Sequence, residues 1–271
     1  VGEPVEVWAA GDAYEPYIGR WSRLVARELL AWLGVAGGAV WLDVGCGTGA
    51  LAGAVLEVAD PAALVGLDPS TGFVAHARAR LGDPRARFLV ADARRLPLAG
   101  AAVDAAVSGL VLNFVPDPAQ AVREMARVTR PGGRVAAYVW DYAEGMELIR
   151  RFWDAAAALD PAAAALDEGR RFPLCRPEPL AGLLRDAGLA EVEARPLRVP
   201  TVFRDFDDYW TPFLGGQGPA PGYAMSLDEP GRAALREALR ARLPAAADGS
   251  IALTARAWAV AGRRPGPVSG R

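Results

Sequence analysis

The sequence predicts an α/β fold, a doubly wound and mostly parallel sheet with helices on both faces and right-handed crossovers. Three observations predict it. Short apolar runs rich in β-branched residues alternate with helix-like segments between residues 39 and 140. The first run, Val40-Trp41-Leu42-Asp43-Val44, ends in the glycine turn Gly45-Cys46-Gly47-Thr48-Gly49 and continues as a helical segment. Strand, glycine turn and helix in that order bring a ligand close to backbone N–H groups. Finally, acidic or polar residues recur where the strands end: Asp43, Asp68, Asp92, Ser108 and Asp141. Ligands of such sheets sit outside the carboxyl ends of the strands.

Taken in order, residues 1–10 read as a loose arm. An amphipathic helix is expected over about 18–33, with Trp21, Val25, Leu29 and Trp32 at near-helical spacing, Arg20, Arg23 and Arg27 between them, and Gly34 as its stop. Strands follow at 39–45, 64–68, 86–91, 103–108 and 134–140, with helices at 49–58, 71–81 and 117–129. Arg130-Pro131-Gly132-Gly133 reads as the turn closing the last of these helices. Beyond 141, an Ala-rich helix is expected at 146–166, a short helix at 179–188, and strands at 192–202 and 251–260. Far more residues separate those last two strands than a tight turn needs. The insert holds the aromatic, acidic stretch 203–213, a Gly/Pro loop at 215–222 and a helix at 231–243, and reads as a cap over a site mouth. The domain reading is therefore an N-terminal helical segment (1–36), an α/β core (37–141), a C-terminal part (142–262) with a helical cap near 142–178 and 204–249, and a flexible tail (263–271).

Of 271 residues, 52% are apolar and 23% charged, which excludes global disorder. Net charge is −2 and no basic block is present, so neither nucleic acid nor an anionic membrane is an expected partner. Every basic residue is arginine. The two cysteines, Cys46 and Cys175, lack metal-ligand spacing, so no disulfide framework and no metal are expected. With no membrane-length apolar run and no signal-peptide pattern, the expected location is the cytoplasm, as a monomer or homodimer.

The glycines at 45, 47 and 49 do not follow the G-x-G-x-x-G dinucleotide spacing, which speaks against a nicotinamide ligand. With Asp43 two residues ahead, the turn resembles motif I of the class I S-adenosylmethionine (SAM) dependent methyltransferases. Residues 103–118 and 128–133 resemble the motifs after strand 4 and before strand 5 in the branch typified by the ubiquinone/menaquinone C-methyltransferases, the methyltransferase type 11 domain. The resemblance implies a Rossmann-like seven-stranded sheet with its last two strands antiparallel and the helical cap inserted between them. It implies SAM as donor and S-adenosylhomocysteine as product, with Gly45, Cys46 and Gly47 holding the methionine part. Asp68, 19 residues beyond Gly49, suits the two ribose hydroxyls. Pro69 would pack on the adenine, Asp92 and the Ala93 N–H would read its edge, and the Ser108 carbonyl would meet the ammonium. Tyr14, Tyr17 and Arg20 match a segment that folds over the donor, with Arg20 placed to pair its carboxylate.

Methyl transfer from a sulfonium is an in-line displacement that needs alignment and exclusion of water. The only histidine, His76, falls in the helix after the second strand, so a histidine base is not expected. Asn113 and Asp141 are the catalytic candidates. Residues 138–223 hold twelve of the 22 aromatics, and Trp140, Tyr142, Tyr209, Trp210 and Phe213 are assigned to a substrate pocket. The bland reading of these rings is cap core. The expected activity is methylation at O, N or C of a small aromatic or partly hydrophobic molecule. The alternative is a SAM-binding protein without transfer activity, a sensor or scaffold.

Overall fold

The computed structural model describes residues 15–216 and 218–266. Seven strands form one sheet: β1 (Val40–Val44), β2 (Ala63–Asp68), β3 (Ala86–Val90), β4 (Val103–Gly109), β5 (Thr129–Trp140), β6 (Ala190–Phe203) and β7 (Ile251–Arg263). Their order is β3-β2-β1-β4-β5-β7-β6. β1 pairs in parallel with β2 on one side and β4 on the other, with Asp43 opposite both Gly66 and Val107. The winding therefore reverses at β1, which makes the ends of β1 and β4 the switch point. β7 runs against β5. The Gly132 N–H donates to the Arg264 carbonyl, whereas the Asp141 N–H donates to the Arg256 carbonyl, so the partner number falls as β5 advances.

The helices are α1 (Arg20–Leu33), α2 (Ala50–Val58), α3 (Thr71–Leu81), α4 (Pro118–Val128), α5 (Glu147–Leu159), α6 (Glu168–Arg171), α7 (Pro177–Asp186), α8 (Phe206–Trp210), α9 (Pro219–Ser226) and α10 (Glu229–Arg240). Their ends follow local chemistry. Ser70 caps α3 by accepting the Phe73 N–H, and left-handed Gly82 stops it. Asp117 caps α4 by accepting the Gln120 N–H, with Pro118 in the first turn. No helix among the described residues is long and apolar enough to cross a membrane.

By its contacts the chain divides into two compact units. The glycine-turn unit comprises Ser22–Val139, Leu174–Leu197 and the described residues from Ala257 on. Its core joins Leu42 and Val44 of β1, Val103 and Ala106 of β4, Val122 and Met125 of α4, and Leu180 and Leu184 of α7, all buried. At the sheet border, Arg78 of α3 donates its Nε to the Phe88 carbonyl of β3 at 3.1 Å, and its terminal nitrogen donates to the same oxygen. The aromatic unit comprises the described residues up to Trp21, Trp140–Pro173 and Arg198–Arg256. There Phe152 and Phe213 stack at 4.6 Å, with Trp153, Tyr209 and Tyr223 packed around them.

Three expectations change. β5 starts at Thr129, so the Pro-Gly-Gly stretch read as a turn is strand. Gly132 has a left-handed φ of 77° and bonds across to Arg264, and the β4–β5 register jumps here from Val103 opposite Thr129 to Ala105 opposite Arg134, so the glycines make a bulge inside the strand, where a Cβ on Gly133 would lie 2.6 Å from the Asp104 carbonyl. The stretch 215–222, read as a loop, holds the start of α9, because proline is well suited to a first helical turn. α1 is preceded by a π-helical turn over Glu15–Gly19.

Candidate functional site

The glycine turn is tied to the end of β2. The N–H groups of Gly45 and Cys46 both donate to the Leu67 carbonyl, at 2.7 and 2.9 Å. Asp68 completes the tie: one carboxylate oxygen accepts the Gly47 N–H at 3.0 Å and the other the Ser70 N–H at 2.8 Å. Burial raises the Asp68 pKa, while those two N–H groups pull it down.

The three glycines share left-handed backbones, with φ of 76°, 51° and 84°, yet do different work. A Cβ on Gly45 would lie 2.5 Å from Val111 Cγ1, so Gly45 makes room for the loop after β4. A Cβ on Gly49 would lie 2.9 Å from Leu81 Cδ1, so Gly49 lets α3 pack close. A Cβ on Gly47 would meet nothing within 4 Å. Gly47 is the glycine whose backbone is open to a ligand.

Asp43 sits beneath this turn with 1% of its surface exposed, and among the described residues neither carboxylate oxygen has a hydrogen bond of full geometry. Burial pushes its pKa up to about 7, against the pull of the Ala52 backbone N–H and helped by the charge on Asp68. Cys46 is also buried, and burial followed by the charges of Asp43 and Asp68 holds its thiol well above the ordinary range. It is a neutral packing group. Ser108 is fully buried and donates its hydroxyl to the Val44 carbonyl at 2.9 Å, joining the ends of β4 and β1.

At the end of β3, Asp92 is half exposed and ion-paired with Arg94 at 2.6 Å, which holds its carboxyl below the usual value. Pro69 is exposed and Ala93 half-buried. His76 lies within α3, as expected.

In the aromatic unit several of the expected site residues have partners within the unit. Arg20, expected to pair a ligand carboxylate, donates to both oxygens of Asp208 at 3.1 and 3.2 Å and stacks on Trp21 and Phe203. Its charge is met inside its own unit. Asp141, expected as a base, is 2% exposed; one oxygen accepts Arg256 Nε at 2.6 Å and the other the Glu144 N–H at 3.0 Å. Both of its oxygens hold the turn after β5. Tyr209 and Phe213, expected to line a pocket, are fully buried core, and the Tyr209 hydroxyl donates to the Leu148 carbonyl. Tyr142 and Trp210 are buried against Phe172 and Phe213 respectively. Trp140 is buried with no partner for its indole N–H among the described residues. Tyr17 is buried edge-on to Phe213, and burial, then the charge on Glu168, raises its hydroxyl pKa. Tyr14 lies outside the described residues.

Asn113 lies in a single 3₁₀ turn over Leu112–Phe114. Its side-chain oxygen is buried without a hydrogen bond among the described residues. The roles of Leu110 and Val111 are not visible in the sequence, since neither follows from spacing or composition.

A parallel sheet with one reversed strand and a ligand-ready glycine turn at its switch point defines the Rossmann-like methyltransferase fold. A family model described as a methyltransferase domain matches residues 42–137. The demethylmenaquinone methyltransferase of Roseiflexus sp. is 32% identical over 169 residues, 57% of this chain and 69% of that protein. The malonyl-[acyl-carrier protein] O-methyltransferase of Marinomonas sp. is 33% identical over 127 residues, 46% of this chain and 47% of that one. Among solved structures, the YcgJ protein of Bacillus subtilis shares the fold, with a TM-score of 0.57, 18% identity, and coverage of 89% of this chain and 99% of that one. The chain belongs to the class I SAM-dependent methyltransferase family. It spans between 28% and 48% of the length of several curated relatives that it matches.

Proposed function

We propose that this chain is a SAM-dependent methyltransferase acting on a small, aromatic or partly hydrophobic acceptor. The observation that carries the reading is the pairing of Asp68 with Gly47. An acid at the end of β2 is locked to the one glycine of the turn that has open space beside it. Family membership names the ligand, and this geometry fits it: a backbone that admits close approach, next to a carboxylate suited to ribose hydroxyls. When bound, SAM supplies a methyl group activated on a sulfonium.

The chain's own residues do the rest. Asp68 keeps the turn in shape while offering its remaining lone pairs. Ser108 holds the ends of β1 and β4 at fixed spacing. Asp92 with the Ala93 N–H, and Pro69 beside Asp68, take the adenine. Asp141 is assigned to the turn and not to proton transfer, because both its oxygens are engaged. With His76 in α3, this reading favours acceptors that need no strong base, such as an amine, a carboxylate or an acidic carbon. Trp140, in the aromatic unit, has an indole N–H without a partner among the described residues. The net charge of −2 supports a small acceptor in preference to a nucleic acid.

Calorimetric titration with SAM, S-adenosylhomocysteine and NAD tests the ligand. Heat with the first two and none with NAD is expected; the absence of heat with either adenosyl compound ends the proposal. A transfer screen over amines, carboxylates and phenols then separates an enzyme from a sensor, which would bind SAM and form no S-adenosylhomocysteine.

A further inference from the structure

The loop leaving β4 holds a residue in an unfavourable conformation. Leu110 has φ of 64°, in the left-handed region. That costs a side chain such as leucine about 1–2 kcal/mol, and glycine or asparagine would fill the position more easily. Two contacts enforce it. The Leu110 N–H donates to the Tyr138 carbonyl at 2.7 Å. Gly109 lets the Tyr138 hydroxyl approach to 2.5 Å from where a Cβ would stand.

The consequence lies on either side. The turn at Leu110 throws Val111 onto the glycine turn, with both its methyl carbons within 2.6 Å of the place of a Gly45 Cβ. Two residues further, the Asn113 side-chain oxygen is buried and accepts no hydrogen bond from any described residue. Nearly all buried acceptors are paired, so one left open among the described residues, on a loop that touches a ligand-ready turn, is suited to a donor that a ligand brings. Strain at such a place is retained where the surrounding structure over-determines it.

We infer that the left-handed backbone of Leu110 is a positioning device: it seats Val111 on Gly45 and so presents the Asn113 side-chain oxygen to a protonated nitrogen of the molecule bound at the glycine turn. This rests on the SAM reading, in which that nitrogen is the ammonium of the methionine part. Leu110 acts through its backbone, and Asn113 is the group that touches the ligand.

The test measures thermal stability and the dissociation constants of S-adenosylhomocysteine and of 5′-methylthioadenosine, which lacks the amino-acid end. The variants are Leu110→Gly, Leu110→Asn, Leu110→Val, Asn113→Ala and Asn113→Asp. Leu110→Gly and Leu110→Asn are expected to stay within about threefold of wild type, and Leu110→Val, which resists the left-handed region, to lose about tenfold for S-adenosylhomocysteine. A role in apolar packing reverses that order, with Val keeping affinity and Gly losing it, and would overturn the inference. Asn113→Ala is expected to weaken S-adenosylhomocysteine by about tenfold to a hundredfold, as for a hydrogen bond to a charged group, and to leave 5′-methylthioadenosine unchanged. Asn113→Asp, which keeps an acceptor, restores the affinity. Equal losses for both nucleosides, or no loss for either, sink the inference while SAM binding stands. If wild-type protein binds neither nucleoside, the SAM reading falls and takes this inference with it.

Discussion

Asp43 and Asp141 sit at the ends of strands and are almost equally hidden, at 1% and 2% exposure, yet the chain treats them oppositely. Asp141, in the aromatic unit, is met by Arg256 and by the Glu144 N–H. Asp43, in the glycine-turn unit, meets no cation among the described residues and has only the pull of the Ala52 backbone N–H, so burial carries its pKa up to about 7. A buried charge whose partner lies in the same unit serves the fold. One left uncompensated costs stability and marks a site where something other than stability is served. The same division holds for Arg20, paired with Asp208, against Asn113, whose oxygen is open.

The contrast can be broken most forcefully at Arg256. Arg256→Ala takes the cation from the buried Asp141 carboxylate and is expected to cost about 4 kcal/mol by chemical denaturation at pH 7. A loss below about 1 kcal/mol would mean the two aspartates are alike after all. Asp43→Asn should act with the opposite sign. The folded pKa of Asp43 is raised, so the folded state holds its proton more tightly than the unfolded chain. Its penalty is absent below about pH 4, grows as pH rises, and is complete above the folded value near 7. The asparagine variant should therefore gain up to about 4 kcal/mol at pH 8, and the gain should vanish towards pH 4. Denaturation curves at the two pH values that superimpose would refute it.

Gly45→Ala comes next, at about 3 kcal/mol from a left-handed alanine and a displaced Val111. Adding Val111→Ala should recover the contact part and leave the backbone part, so non-additivity in a double-mutant cycle is the check. The smallest effect sharpens the aromatic side. Tyr209→Phe removes one hydrogen bond to Leu148 and should lower stability by about 1 kcal/mol, with SAM affinity unchanged.

What the sequence discloses of all this depends on the range of the interaction. Alternating apolar runs and the glycine turn set β1 to β5 within a few residues, because periodicity and turn chemistry are local. The place of Asp68 at the end of β2 was legible in the apolar run that it closes. The partner of Arg20 was not, since Asp208 is 188 residues away and no local pattern announces it. The engagement of Asp141 by Arg256 was hidden for the same reason, and so a carboxylate at a strand end passed for a base. α9 was masked by proline and glycine, which mark loops and first helical turns alike. Leu110 was the hardest to foresee, because leucine is among the residues least associated with a left-handed turn.

The guanidinium of Arg78 occupies a main-chain acceptor on β3, a border strand of the sheet. A vacant row of peptide groups there would be a template on which a foreign strand, or a second molecule, lays itself down. Leu89 and Val90, both solvent-facing, would make that template adhesive. One arginine reaching round from a helix thus covers an acceptor on the sheet's edge, a duty unrelated to any ligand.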